Sequence, residues 1–341
     1  MTHEKRKPRR RLLAAGLVVS LLTMGGVAYG LADRYLIEHV EAVVTPNTVA
    51  VNSDSETTAS SSSSENNNSS SSGASSTSVP SAEADESTKQ ATADDWNYKS
   101  EDTQIAIKKV ETGSGSDKVT YYVADVQVKD ASSLLTAFAK NAYGRNITQD
   151  TSEIASANNA ILAINGDYYG FRNDGVIIRN GTLYRNEPAR DGLALYDDGT
   201  MAAYNEEEVN AEDLIAQGVT NTFSFGPVLV KDGQAVTDLE NVKIDTNFGN
   251  RSIGGANPRT GIGILSANHY VFVVVDGRQA NYSKGMTLTE FAQLFEDMGA
   301  KEAYNLDGGG SSTMYFNGRV VNSPGSKGQE RGVSDILYIA H

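Results

Sequence analysis

The 341-residue chain contains no cysteine, which excludes disulfides, thiolate zinc sites and cysteine nucleophiles. Histidine is scarce too. There are four in all, and only His269 and His341 fall in the part that reads as globular. With so few histidines a Ser-His-Asp triad or a histidine-rich metal centre is not expected, and His269, beside an apolar run, reads as a packed structural residue rather than a catalytic one. Neither GxxxxGK followed by Ser or Thr nor a GxSxG elbow occurs, so there is no nucleotide P-loop and no hydrolase elbow. Basic charge is short as well, with 29 Lys and Arg against 43 Asp and Glu. The first eleven residues hold six of the basic and one of the acidic groups, leaving 23 against 42 and a net charge of −19 for the rest. A nucleic-acid or anionic-lipid binder is generally basic, so no nucleic-acid partner is expected, and an anionic substrate has to be gripped by a few local arginines. Chemistry falls to carboxylates, arginines, Asn and Tyr, the tools of glycosyl and phosphoryl transfer.

What is present divides into four parts. Residues 1–11 are a basic tail. Residues 12–32 form an uncharged apolar run of about 21 residues, long enough to span a bilayer core, with the basic tail on the cytoplasmic side. Gly30 and Ala32 would suit signal-peptide cleavage, but the run exceeds a usual signal core, so an uncleaved anchor is expected. Residues 33–100 read as an extracellular linker: from Thr45 to Asp95 the sequence is Ser-, Thr-, Asn- and Ala-rich and acidic, with unbroken serines at 60–64 and 69–72. Such composition buries too little apolar surface to offset ordering entropy, giving a flexible stalk; Leu36, Ile37 and Val40 leave a helical continuation of the anchor open. Residues 101–341 read as one globular α+β domain with mixed sheets and flanking helices. The expected location is a cell membrane, single-pass, with the C-terminal domain outside; a cysteine-free exported protein is unremarkable for a Gram-positive bacterium.

Within the domain, 119–128 carries a strand pattern. Residues 131–143 put Leu134, Leu135 and Phe138 at helical spacing behind Asp130 as a cap. The clearest helix is 288–298, with a Thr287/Glu290 capping box, a Leu288, Phe291, Leu294, Phe295, Met298 stripe, and Gly299 as terminator. Asn317-Gly318 signals a type I′ hairpin.

Three apolar runs each end in a carboxylate beside glycine: 160–164 before Asn165-Gly166-Asp167-Tyr168-Tyr169, 270–275 before Asp276-Gly277-Arg278, and 303–306 before Asp307-Gly308-Gly309-Gly310-Ser311-Ser312-Thr313. If the strands neighbour one another, Asp167, Asp276 and Asp307 surround one cleft. The glycine triplet suits unusual dihedrals or a close backbone approach, a cradle for phosphate or sugar oxygens. Pro258-Arg259-Thr260-Gly261, Arg278 and Glu330-Arg331 supply candidate anion clamps, and Phe225-Gly226-Pro227 a shaped wall.

Together these segments, with Arg259 to Gly263 and Glu330 to Asp335, stand in the order and spacing of a known family. From about Ala160 to the C-terminus the chain resembles the phosphodiester glycosidases, whose vertebrate members remove N-acetylglucosamine from a sugar phosphodiester. The resemblance implies hydrolysis of the bond between an anomeric carbon and a phosphodiester oxygen. The family pattern often has Ala at Gly261. Vertebrate disulfides and extra modules are absent here, so the substrate to expect is a bacterial cell-wall or capsular glycan with sugar-1-phosphate linkages. Arg259, Arg278 and Arg331 would neutralise the leaving phosphate. One carboxylate would act as base or nucleophile, preferred in the order Asp307, Asp276, Asp167, Glu330. Asn165, Asn305, Gly308, Gly309, Gly310, Ser311 and Ser312 would hold sugar or phosphate oxygens. No cofactor is expected and no metal is demanded, although the three aspartates together could take Ca²⁺ or Mg²⁺. Two other readings use the same residues. One is a glycan-binding module with Tyr168, Tyr169, Tyr282 and Tyr304 as platforms. The other is a membrane-anchored glycopolymer phosphotransferase, which usually needs Mg²⁺.

Overall fold

The computed structural model describes residues 20, 23–34, 36–45, 91–244 and 252–341. The basic tail, residues 12–19, 21 and 22 of the apolar run, and the serine-rich stretch from 46 to 90 lie outside these. Residues 23–34 are helical. Among the described residues no helix is long and apolar enough to cross a membrane.

The α+β class is as expected: several β-sheets and few helices. The largest sheet has nine strands in the order Gln234–Ala235, Val228–Lys231, Glu302–Asn305, Arg259–Ser266, His269–Val275, Val119–Val128, Thr103–Thr112, Asn97–Lys99 and Thr92–Ala93. A five-stranded sheet runs Arg319–Val320, Met314–Phe316, Ala160–Asn165, Asp335–Ala340, Leu134–Phe138. A three-stranded sheet is centred on Asp191–Tyr196. The alternating pattern of Val119–Val128 turns Tyr122, Ala124 and Val126 into a core shared with Leu162, Ile164, Leu337 and Ile339 of the second sheet and Leu193, Leu195 and Phe223 of the third. Burying each large side chain contributes roughly 1.5–3 kcal/mol.

The opposite face of the nine-stranded sheet carries the helix Leu288–Asp297, whose capping box is present as the sequence predicts. Phe291 and Phe295 pack close to the sheet because Gly261 and Gly263 leave room. A Cβ on Gly261 would come within 2.9 Å of the Phe291 ring, so the alanine common in the family needs a shifted ring here. Asn317 and Gly318 both have positive φ (46° and 86°) between paired strands, the expected hairpin.

The helix expected over 131–143 is not there. Asp130 does cap, accepting from the Ser132 amide at 2.8 Å, but only a single turn, Ala131–Ser133, follows. Leu134–Phe138 then pairs with Asp335–Ile339. Leu134 and Phe138 are four apart, which also places them on one face of a strand, and the long-range pairing decides. The linker boundary changes too. His39–Val43 is a strand paired with Ala142–Arg145, not a helical continuation. Thr92–Ala93 and Asn97–Lys99 extend the large sheet, so folded structure begins well before residue 101.

Candidate functional site

Arg259–Ser266 lies between Glu302–Asn305 and His269–Val275 and runs antiparallel to both. Those two outer strands therefore point the same way and end together, delivering Asp276 and Asp307 to the edge where Arg259 begins. Ala160–Asn165 arrives from the second sheet and is stitched on by Asn165. Its Nδ2 donates to the Asp307 carbonyl at 2.7 Å, and its Oδ1 accepts from Thr260 Oγ1 at 2.7 Å and the Thr313 amide at 3.2 Å. The three strand ends do converge.

The four carboxylates are not equivalent once there. Asp167 is sealed, accepting from the Tyr168 amide at 2.6 Å and the Ser224 amide at 2.7 Å, with Arg179 at 3.7 Å. Asp276 accepts from Asn322 Nδ2 and Tyr282 Oη, each at 2.8 Å, and from the Ser323 amide; burial raises its pKa against these bonds. Glu330 accepts from the Ser152 amide at 3.0 Å and from the Ser152 hydroxyl, capping the helix Thr151–Ala157 from a distant segment. All three are hydrogen-bonded within the fold, Asp167 and Asp276 buried and Glu330 half-buried.

Asp307 is different. Its Oδ2 accepts from Ser311 Oγ at 2.6 Å and pairs with Arg331 Nη2 at 3.1 Å, and its side chain keeps 12% exposure beside an Arg331 that is 52% exposed. Burial lifts its pKa above the usual carboxylate range, while Arg331, Ser311 and Arg172 pull it back.

The arginines also sort themselves. Arg331 serves Asp307, donating to Ser311 as well. Arg259 is 3% exposed and gives its Nε and Nη2 to the carbonyls of Met286, Ile253 and Gly255. Arg278 is exposed, holds a left-handed φ of 60°, and is braced by Asn257 Oδ1 at 2.8 and 3.1 Å. Neither has a carboxylate within 4 Å among the described residues. Burial, then the charge of Arg278, bring Arg259 down to about 10. Two neighbouring cations that repel one another, Arg278 exposed and Arg259 buried behind it, are suited to a shared anion on the Arg278 side.

Gly308–Gly310 lies between these groups. A Cβ on Gly308 would meet the Pro258 carbonyl oxygen at 2.8 Å. One on Gly309 (φ 68°) would stand 3.3 Å from the Arg278 guanidinium, and one on Gly310 3.2 Å from Arg331. The run of glycines is what lets both guanidinium groups close over the loop. The amide cradle is only partial, because the Gly309 amide donates to Pro258 O at 3.0 Å and the Ser311 amide to Gly308 O at 3.3 Å.

Several expected contacts are structural instead. Asn165, Asn305 and Ser312 are at most 1% exposed. Asn305 Nδ2 holds the Gly226 carbonyl at 2.8 Å, beside the cis Gly226-Pro227 peptide, and its Oδ1 is enclosed with no partner among the described residues. Tyr169 and Tyr304 are buried, donating to Ser334 O and Asp191 O, so they are not platforms. Tyr282 is committed to Asp276; Tyr168 stays half-buried and stacks on Phe171, with ring centroids 4.9 Å apart. Among the described residues no three His, Asp or Glu side chains converge as a metal would need.

Two important arginines escaped the sequence reading. Arg172 packs its guanidinium over Tyr168 (5.2 Å) and Phe225 (5.1 Å), donates to Ser224 O, and acts electrostatically on Asp307; its only signal is its place three residues after Tyr169. Arg179 sits in an apolar strand and is fully buried against Asp335 at 2.8 Å.

A profile of the phosphodiester glycosidases matches residues 158–340, more than half of the chain and every strand end just described. The chain belongs to the phosphodiester glycosidase family. It is 34% identical over 208 residues to the SPbeta prophage-derived uncharacterized protein YomE of Bacillus subtilis, covering 58% of this chain and 31% of that protein. It is 29% identical over 154 residues to the N-acetylglucosamine-1-phosphodiester alpha-N-acetylglucosaminidase of Bos taurus, covering 42% and 28%. To the Homo sapiens enzyme of that name it is 26% identical over 205 residues, covering 55% and 39%. The chain thus spans under two fifths of the length of these curated relatives. Among solved structures, the zebrafish enzyme's catalytic domain, auto-inhibited by its pro-peptide, superposes with a TM-score of 0.56. It shares 20% identity over 71% of this chain and 84% of that one, a likeness of fold.

Proposed function

We propose that this family member hydrolyses the glycosidic bond of a sugar-1-phosphodiester, of the N-acetylglucosamine-1-phosphate type, in a bacterial cell-surface glycan. The observation that carries it is the contrast among the strand-end aspartates: of the three, only Asp307 keeps an opening to solvent, beside two arginines that lack carboxylate partners among the described residues. Water attacks C1 as the bond from C1 to the phosphate oxygen breaks, and Asp307 takes the water's proton. The leaving phosphomonoester carries its own negative charge, so a strong general acid is less necessary. Arg259 and Arg278 neutralise that charge as it develops. Arg331 and Ser311 hold Oδ2, which leaves the other oxygen of Asp307 for the proton.

The test is hydrolysis of a synthetic α-N-acetylglucosamine-1-phosphodiester, with and without EDTA. Free sugar and phosphomonoester in equal amounts, over many turnovers and insensitive to EDTA, are expected. Saturable binding without release would favour the glycan-binding module, and dependence on Mg²⁺ the phosphotransferase.

A further inference from the structure

Both flanks of the serine-rich stretch are seated on the domain. Its upstream flank is already part of the domain: His39–Val43 pairs with Ala142–Arg145, and the Val44 amide donates to Asn141 O at 2.8 Å. Gly144 is shaped for this strand, since a Cβ there would stand 1.9 Å from the His39 carbonyl oxygen. Ala42 and Val44 pack on Phe138, Tyr143 and Tyr169. The attachment reaches the end of the apolar run itself. Asn146 Nδ2 donates to Asp33 O at 3.0 Å and Ile37 O at 2.8 Å, and Lys140 pairs with Glu38. The downstream flank, Thr92–Ala93, pairs with Tyr98–Lys99 at the edge of the large sheet. Both ends of residues 46–90 are therefore fixed to one domain. As a tether, 45 such residues would give a reach on the order of 35 Å; as a connection between two seated strands they give none.

At the same junction lies a polar cavity of about 210 Å³ lined by Asp33, Arg34, Arg145, Asn146, Phe171 and Arg172. Arg172 belongs both to this cavity and to the surroundings of Asp307.

We infer that residues 33–44 strap the catalytic domain to the outer end of the apolar helix, so that it works at the membrane surface on sugar phosphodiesters carried by lipid. This rests on the glycosidase reading above and on 12–32 being an anchor. The reaction is unchanged. Water's oxygen goes to C1, the bond from C1 to oxygen breaks, and the lipid phosphomonoester leaves.

Two readouts on the full chain test this. First, a protease site is placed after Ser64 and the chain, tagged at its N-terminus, is cut in mild detergent. The C-terminal piece is expected to stay with the tag, and to be lost only when Ala42→Asp or Asn146→Ala is added. Release on cutting alone overturns the strap. Second, the protein is placed in phosphatidylcholine vesicles with α-N-acetylglucosamine-1-phosphate esterified to a dialkylglycerol, and compared on the soluble methyl ester. Lipid-borne substrate should turn over at least tenfold faster, unaffected by the cut, and drop to the soluble rate when cut and Ala42→Asp are combined. Equal rates on both substrates, or failure of the chain to enter vesicles, overturn the surface assignment while leaving the glycosidase intact. Cleavage of neither substrate removes the glycosidase reading and the surface assignment with it, and the pull-down still decides the strap.

Discussion

Two arginine–carboxylate pairs lie within this domain and do opposite things. Arg179 and Asp335, 2.8 Å apart, are at most 1% exposed. Asp335 also accepts the Asp167 amide at 2.8 Å, and a Cβ on Gly166 would meet its Oδ1 at 2.3 Å. Burial pushes the Asp335 carboxyl up to about 6 against the pull of Arg179. Arg331 and Asp307, 3.1 Å apart, keep half of the arginine in solvent. The sealed pair fixes the turn that carries Asp167, and the Gly166 carbonyl in turn accepts the Asp307 amide at 3.3 Å. Like chemistry thus yields a sealed strut in one place and, where one side is left to solvent, the pair we propose for catalysis.

The comparison breaks most sharply at its open member. Asp307→Asn should lower turnover by about 10³-fold, within the range for loss of a general base, with an unchanged thermal midpoint; near-normal turnover would remove Asp307 from catalysis. At the sealed pair, Arg179→Met should cost about 3–5 kcal/mol in urea unfolding, because Asp335 and Asp167 would be left buried without their cation. A loss under 1 kcal/mol would mean the strut carries no stability.

Arg278→Ala removes a charge-assisted contact of roughly 1.5–3 kcal/mol, about 10- to 100-fold, and should appear in KM for phosphodiesters and in affinity for the phosphomonoester product. Glu330→Ala removes only a helix cap, costing about 1 kcal/mol of stability with turnover retained; a large loss of turnover would return Glu330 to the catalytic list. The smallest effect is in pH. A base works ionised, so kcat/KM falls as pH drops through the raised pKa of Asp307. Arg331 is the strongest influence lowering that pKa, so Arg331→Gln should move the acid limb to higher pH, and a limb that stays put would separate Arg331 from Asp307.

Much of this architecture was legible in the residues. The helix Leu288–Asp297 announces itself by capping box and stripe, the hairpin by Asn317-Gly318, and the three strand ends by apolar runs that stop at Asp and Gly. These are local signals, and local physics decides them. What stayed hidden was decided at long range. Nothing near Asp276 shows that Ser323, 47 residues on, occupies its carboxylate, nor near Asp167 that Ser224 does, 57 residues on. Which aspartate stays open is a property of the assembled strand ends. Residues 131–143 misled because a four-residue spacing fits helix and strand alike. The start of the folded part was misplaced because His39–Val43 is a strand only through its pairing with Ala142–Arg145, a hundred residues on.

The most direct test of the central claim is the crystal structure of Asp307→Asn with an intact α-N-acetylglucosamine-1-phosphodiester bound. The account predicts phosphate oxygens within hydrogen-bond distance of the Arg278 guanidinium, with C1 facing residue 307 across the Gly308–Gly310 loop. A phosphate seated away from Arg278 and Arg259, with C1 turned from residue 307, would contradict it.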